Sequence, residues 1–485
     1  MTGVERLTGA TSGLGKRWKS IDWKKVKAEV KRLQMRIAKA VRGGKTDLVK
    51  ALQWILSHSF YAKLLAVKMA TSTRGAGTPG VDGVIWNTPA RKMKGALSLQ
   101  RKSYRAQPLR RIEIPKKNGK MRPLGIPTIG DRAMQALYLL TLQPIAETTA
   151  DYNSYGFRFY RACRDAIGQC FCALAKSYSP RWVLDADIKA CFDWIDHEWL
   201  LNNILIDNKM LRQWLTCGFV QHRKLFPTKA GTPQGGIISP TLANMTLDGL
   251  EKAIKKSCPR RRKVNFVRYA DDLICTADSK ELLENNIIPA INDFLKPRGL
   301  MLSAEKTRIV RIEDGFDFLG QHLRKFSNKL IITPSKGNRK SFLDKIRKEI
   351  KANRGSKCED MINRLNPVIR GWANYHKCVQ SARAFSYADT VIFHALCRWG
   401  RRRHSNKGPG WIKKKYFGLS NRNWVFSCKT KDKHGKKKIL ELTKPSLTKL
   451  VRYIKIKGEA NPFDPQYHDY FIMRRRLSNT VPIQW

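Results

Sequence analysis

The stretch Phe266-Val267-Arg268-Tyr269-Ala270-Asp271-Asp272-Leu273-Ile274 sets two adjacent carboxylates between two apolar runs of strand-forming residues. Alone, an Asp-Asp pair is more often a turn or a helix cap. About eighty residues earlier, however, Leu184-Asp185-Ala186-Asp187-Ile188-Lys189-Ala190-Cys191-Phe192-Asp193 places further carboxylates at the end of another β-prone run. Two strands ending side by side would bring Asp187, Asp271 and Asp272 together. Crowded carboxylates repel one another and need cations, and carboxylate oxygens with water favour Mg²⁺. Two such ions about 4 Å apart suit in-line attack at phosphorus, so the implied chemistry is nucleotidyl transfer.

Composition points the same way. The 485 residues hold 94 Lys plus Arg against 38 Asp plus Glu, a net charge of +56. Self-repulsion on that scale is tolerated when a polyanion neutralises it, which excludes a small neutral substrate as the default and leaves nucleic acid or an anionic membrane surface. With 42% hydrophobic residues the chain can bury a core. No run approaches about 18 consecutive apolar residues, so no membrane span is expected. Eleven cysteines occur without a Cys-x-x-Cys pair, which argues against structural zinc and for a reducing, cytoplasmic location.

Along the chain, Val26, Val30, Leu33, Ile37 and Val41 recur at helical spacing, and a second helix is expected from about Asp47 to Lys68, giving a basic helical pair. The breaker-rich run from Gly75 to Gly83 must be an ordered loop or a flexible lid. Strands are expected at Trp182 to Ile188, Val264 to Tyr269 and Leu273 to Ala277, and helices at Asp131 to Thr149, Cys163 to Ser177, His197 to Ile206 and Thr241 to Lys255. This mixture predicts an α+β body. Beyond Pro334 the chain turns helical and basic; residues 401 to 457 carry 19 Lys or Arg and two acids, a polyanion footprint interleaved with Trp399, Trp411, Tyr416, Phe417, Trp424 and Phe426. About half of these aromatics are expected in a small core and the others available for stacking on bases.

Between the acidic segments lies Gly231-Thr232-Pro233-Gln234-Gly235-Gly236-Ile237-Ile238-Ser239-Pro240. With this order and spacing, the chain from about Gly77 to at least Tyr416 resembles a reverse transcriptase of the group II intron maturase family. The resemblance implies a right-hand polymerase, with fingers and palm built on antiparallel sheet, followed by an α-helical thumb/maturase domain and a basic C-terminal DNA-binding region. The expected divisions are 1–75 (N-terminal helical RNA-binding extension), 76–335 (fingers and palm), 336–416 (thumb/maturase) and 417–485 (DNA-binding). Asp187, Asp271 and Asp272 resemble the catalytic aspartates holding two Mg²⁺ ions, with dNTPs as substrates. Phe192 matches the residue whose ring leaves no room for a 2′-hydroxyl. Lys116 and Arg122, on the hairpin before Pro123, match triphosphate contacts, and Lys117 and Lys120 compete with them. Gln234 matches a residue near the nascent base pair, and Lys306 a candidate general acid for pyrophosphate, or equally a structural salt bridge. Phe318, Leu319 and Gly320 match the primer grip, and Gly80-Val81-Asp82-Gly83 a lid over the template.

Leu365-Asn366-Pro367-Val368-Ile369-Arg370-Gly371-Trp372-Ala373-Asn374-Tyr375-His376 resembles the maturase thumb motif, which makes Arg370, Trp372, Tyr375, Arg401, Arg402 and Arg403 candidate RNA contacts. The implied partners are a group II intron RNA in a ribonucleoprotein, target DNA and an RNA template/DNA primer duplex, with no membrane. The implied activity is RNA-directed DNA synthesis coupled to splicing and target-primed mobility. A splicing-only RNA-binding maturase and a related enzyme recruited to host defence are the other readings. Many relatives continue into a nuclease domain with paired cysteines and histidines; no such cluster stands in these 485 residues, so either the natural protein lacks the nuclease or the sequence is truncated. In the first case priming from another source, such as a nascent strand at a replication fork, is expected.

Overall fold

A computed structural model describes residues 13–115, 119, 121–260, 262–431 and 435–478. The described chain divides into two compact units, one of residues up to 169, 182–309 and from 455 onward, the other of 170–181 and 310–454.

In the first unit, helix α1 (Trp23–Arg42) starts where the Asp22 carboxylate caps the Lys24 and Lys25 amides and ends at Gly43. Its apolar stripe buries Val26, Val30 and Ile37, and Gln34 on the same face donates 2.8 Å to the Leu140 carbonyl. The expected second helix is two: α2 (Thr46–His58) and α3 (Phe60–Thr71), parted at Ser59, whose extended backbone (φ −64°, ψ 129°) cannot continue a helix. Strands β1 (Leu109–Pro115) and β2 (Met121–Ile126) pair antiparallel, Pro115 opposite Met121. The long helix α4 (Ile129–Thr149) is buried along most of its length and forms the core against which α1 and α3 pack. The loop from Gly75 is ordered: the Arg132 guanidinium donates to the carbonyls of Gly75 (2.7 Å) and Thr78 (2.8 Å). Gly80 presses so close to the chain entering α4 that a Cβ would stand 2.6 Å from Thr128 Cα.

Two sheets carry the site. One has the order β2-β1-β4-β5, with β4 (Phe219–Gln221) parallel to β1 and β5 (Lys224–Phe226) antiparallel to β4. The other has the order β6-β7-β3-β8, from β3 (Trp182–Asp187), β6 (Asn265–Tyr269), β7 (Asp272–Ala277) and β8 (Arg308–Arg311). The expected helix Thr241 to Lys255 is broken into Ser239–Leu247 and Leu250–Ser257, because Gly249 turns the chain at φ +95°.

The second unit joins a sheet to helices. Strands β9 (Phe316–Phe318), β10 (Gln321–Phe326) and β11 (Lys329–Pro334) form an antiparallel sheet, followed by α5 (Lys336–Ala352), α6 (Cys358–His376) and α7 (Ala382–Arg403). A helix Pro409–Phe417 and the hairpin β12 (Ser427–Lys431) and β13 (Lys437–Glu441) complete it. The two compact units part near residue 310, and residues 417–485 fall in both of them. Residues 455–478 belong to the first unit, where Arg474 and the Ile456 amide both bond the buried Asp165 carboxylate. Of the six interleaved aromatics, Trp399, Tyr416, Phe417 and Phe426 are core, while Trp411 and Trp424 stay 38% and 53% exposed. All eleven cysteines are free, and among the described residues no helix is long and apolar enough to cross a membrane.

Candidate nucleotidyl-transfer site

The acidic residues meet through strand register. β6 and β7 form a hairpin in which Tyr269 pairs with Asp272, leaving Ala270 and Asp271 as its two-residue turn. Asp272 therefore belongs to the strand and Asp271 to the turn. β3 lies antiparallel to β7 with Asp187 directly opposite Asp272, and in antiparallel pairs opposite residues share one face about 5 Å apart. The Ile188 amide donates to the Asp271 carbonyl (3.2 Å) and the Ser303 amide to the Asp187 carbonyl (2.8 Å), tying both acidic ends to the backbone around them.

Burial raises the Asp271 carboxyl above its ordinary range, with the Asp187 charge adding to the effect. Burial first, then the charges of Asp271 and Asp187, push Asp272 up to about 7. Cations answer this negative cluster: the Lys306 ammonium donates to Asp187 Oδ2 at 2.7 Å, a hydrogen bond that holds its own pKa above the ordinary value, and the charges of Lys306 and Arg122 both draw Asp271 down. Three crowded carboxylates supply the hard oxygen donors that a divalent cation requires. Among the described residues no three His, Cys, Asp or Glu side chains are gathered as a ready metal cluster.

The turn is braced from behind by residues that sequence reading passed over. Arg268, fully buried although it precedes Tyr269, donates to Asp248 Oδ1 (2.6 Å), Asn244 Oδ1 (3.1 Å) and the Ala270 carbonyl (3.4 Å). Asn244 in turn donates to the Gly156 carbonyl (2.7 Å), and Gly156 approaches the turn so closely that a Cβ would sit 2.4 Å from the Ala270 amide. The break at Gly249 frees Asp248 from the helix to face Arg268. Ala270 itself is left-handed, φ +59°, an uncommon state for a residue with a Cβ. The only signal in the sequence was a charged residue inside an apolar strand.

Phe192 follows the left-handed Ala190 (φ +44°) and is half-buried, its ring edge-on to Phe157 at 6.2 Å. The Gly231 loop crosses directly beneath: the Thr232 amide donates to the Phe192 carbonyl (2.6 Å), and a Cβ on Gly231 would meet the Asp193 carbonyl at 2.6 Å. Gln234 links two elements, accepting from Arg122 Nε (2.6 Å) and donating to Asp193 Oδ1 (2.7 Å). Its carbonyl also accepts from the Gly125 amide (2.9 Å), so the β1–β2 hairpin is bonded to the glycine loop. Phe192, Asp193, Gln234, Pro123 and Lys229 line a cleft of about 350 Å³. Lys116, with Lys117 and Lys120, lies outside the described residues.

In the second unit Leu319 (φ +48°) and Gly320 (φ +73°) form the two-residue turn between β9 and β10, both left-handed as a type I′ hairpin demands. Phe318 is buried beside it. The Tyr375 hydroxyl donates to the Leu319 carbonyl (2.7 Å), and a Cβ on Gly320 would meet Asn338 Nδ2 at 2.7 Å. Asn338 Oδ1 also accepts from Trp372 Nε1 (2.9 Å). Trp372 is 8% exposed, with Phe342 stacked on it at 4.2 Å, so the expectation of an RNA contact is corrected: its ring is core and its N–H braces the turn. Tyr375 likewise commits its hydroxyl to that turn. Arg370 is exposed and donates to Thr443 Oγ1 (3.0 Å). Arg401 and Arg402 are exposed at the end of α7, whereas Arg403 donates to the Gly355 (3.1 Å) and Ser356 (2.8 Å) carbonyls and holds a loop.

Family descriptions match the chain in three segments, and known proteins match parts of it. The family description "Reverse transcriptase (RNA-dependent DNA polymerase)" matches residues 114–323, "N-terminal domain of reverse transcriptase" residues 18–99, and "Group II intron, maturase-specific domain" residues 339–417. The chain is 31% identical over 303 residues to Protein YkfC of Escherichia coli (strain K12), covering 53% of this chain and 79% of that one. It is 37% identical over 235 residues to the group II intron-encoded protein LtrA of Lactococcus lactis subsp. cremoris, covering 46% of this chain but only 37% of LtrA. Maturase-like protein 1 of Euglena gracilis is 26% identical over 350 residues, covering 70% of this chain and 72% of that protein. With reverse transcriptase and maturase family descriptions matching successive segments, the chain belongs to the group II intron-encoded reverse transcriptase/maturase family.

Proposed function

We propose that the protein is an RNA-directed DNA polymerase that also binds its group II intron RNA to assist splicing and mobility by target-primed reverse transcription. The observation that carries the polymerase half is the register of Asp187 opposite Asp272 with Asp271 in the adjoining turn. RNA folding alone has no use for three crowded carboxylates. In this reading the β2-β1-β4-β5 sheet belongs to the fingers, the β6-β7-β3-β8 sheet is the palm, and α5 to α7 are the thumb.

Asp187, Asp271 and Asp272 would hold two Mg²⁺ ions. Bound there, the metal supplies an activated attacking 3′-oxygen and charge neutralisation on the leaving pyrophosphate. Lys306, protonated at Nζ and already at the carboxylates, is the proton source for pyrophosphate. Arg122 carries a guanidinium suited to triphosphate oxygens, and Gln234 sets its position through Nε. Lys116 is assigned the same task from sequence. Phe192 excludes ribonucleotides by occupying the space of a 2′-hydroxyl. The Leu319–Gly320 turn, with Phe318 beneath it, holds the primer end. Arg370, Arg401 and Arg402 contact intron RNA, and the basic segment after residue 417 contributes to target-DNA binding.

Primer extension on an RNA template with dNTPs and Mg²⁺, with Asp271→Ala beside the parent, tests the enzymatic half; equal DNA synthesis by both proteins would refute it. Copurification of a single intron lariat RNA with the protein tests the maturase half, and its absence from protein expressed together with its intron would refute that half.

A further inference from the structure

The second unit contains a cleft that none of these assignments uses. It opens between α7 and the start of the β12–β13 hairpin, holds about 380 Å³, and is cornered by Phe393, Phe417 and Trp424. Phe393 stands edge-on to both partners, 4.9 Å from the Phe417 ring and 5.4 Å from the Trp424 ring. Phe417 is buried and Phe393 half-buried, so these two form a fixed wall, while Trp424 leaves 53% of its surface to solvent.

Two features set Trp424 apart from an incidental surface tryptophan. Its backbone is left-handed at φ +62°, a conformation that a bulky residue adopts only when its surroundings impose it, and such strain collects at functional positions. Its face is covered by a cation, the Lys413 ammonium 4.9 Å from the ring centroid. The rim adds Lys444 and Thr443, and the Thr443 hydroxyl accepts the hydrogen bond from exposed Arg370. Asp389 is the acid in the lining, and its carboxylate already accepts from the Ser446 amide.

A half-exposed aromatic ring with a lysine over it, an apolar wall, a second lysine in the lining and an arginine bonded to the lining residue Thr443 match one ligand chemistry: a flat base with phosphates on either side. An apolar peptide would leave the cations unpaired, and an acidic one would have no use for the ring. We propose that this cleft binds an unpaired nucleotide of an RNA strand, its base stacked on Trp424 and its phosphates held by Lys413, Lys444 and Arg370. The Lys413 ammonium would exchange the indole face for phosphate as the base arrives. This inference rests on the RNA-binding half of the proposed function.

The test uses the full chain and two labelled RNA hairpins, identical except for one bulged nucleotide. Stacking of one base corresponds to about 5- to 150-fold in affinity. Trp424→Ala is expected to weaken binding of the bulged hairpin by at least about fivefold and to leave the paired hairpin within about twofold, with Trp424→Phe retaining most of the affinity. Lys413→Gln with Lys444→Gln is expected to flatten the salt dependence of bulge binding by roughly 0.7 log unit per lysine. Equal loss on both hairpins, or no loss on either, would overturn the proposal while RNA binding by the parent stands. Failure of the parent to bind either RNA would instead overturn the RNA-binding reading, and this inference with it.

Discussion

Asp187 and Asp272 face each other across neighbouring antiparallel strands, and the Lys306 ammonium stands 2.7 Å from Asp187. The pair has an acidic neighbour in Asp271, and burial deprives all three of water that would otherwise screen their charge. This local electrostatic stress links protonation, metal binding and stability at one place.

Asp272 gives the pH dependence. With its carboxyl pushed up to about 7 by burial and by Asp271 and Asp187, the folded protein holds that proton more tightly than the unfolded chain does. Its contribution to stability is complete below the ordinary carboxylate range and is lost as pH rises through about 7. Mg²⁺ needs the ionised form and relieves the repulsion. Thermal unfolding with and without MgCl₂ should therefore show a larger Mg²⁺-induced rise in Tm at about pH 8 than at about pH 6. An equal rise at both would contradict the assignment of these carboxylates to the metal.

Phe192 should govern sugar choice. Phe192→Ala is expected to raise incorporation of ribonucleotides relative to deoxynucleotides by about 10- to 100-fold, the range expected when one steric element of a pocket is removed. Single-nucleotide kcat/KM values for a matched dNTP and rNTP measure it. An unchanged ratio would make the ring a core residue packed on Phe157 and nothing more.

Arg268 is buried with Asp248 as its counter-charge, and burial raises Asp248 to about 6 even though the guanidinium draws it down. Arg268→Met strands that carboxylate and should cost about 3–5 kcal/mol in chemical denaturation. Pairing it with Asp248→Leu should recover much of the stability. It should not recover kcat, because the guanidinium that holds the Ala270 carbonyl is still missing. Full recovery of both would reduce Arg268 to a structural residue.

Tyr375→Phe removes one hydrogen bond to the Leu319 carbonyl, a change of about 0.5–1.5 kcal/mol. If the turn holds the primer, KM for primer–template should rise about 2- to 10-fold, while kcat and KM for dNTP stay close to the parent. A change in dNTP KM alone would show that the turn serves another purpose.

Much of the first unit was legible in the chain itself, because the relevant signals are local. The stripe of Val26, Val30 and Ile37, the β-prone runs around Asp187 and Asp271, and the glycines at 231, 235 and 236 each speak through spacing of a few residues. The break at Ser59 and the split at Gly249 were not legible, since neither Ser nor an isolated Gly ends a helix by propensity alone.

What the sequence determined by itself was the chemistry: carboxylates at strand ends, an aromatic ring five residues on, and a surplus of cations to meet a polyanion. Only the tertiary structure decided which groups meet. It set Asp187 opposite Asp272, turned Arg268 inward onto Asp248, placed Lys306 on Asp187, and moved Trp372 from an expected RNA surface into the core. Strand and helix preferences act over neighbouring residues, whereas register, burial and counter-charge are properties of segments brought together from distant parts of the chain, and no local pattern encodes the partner.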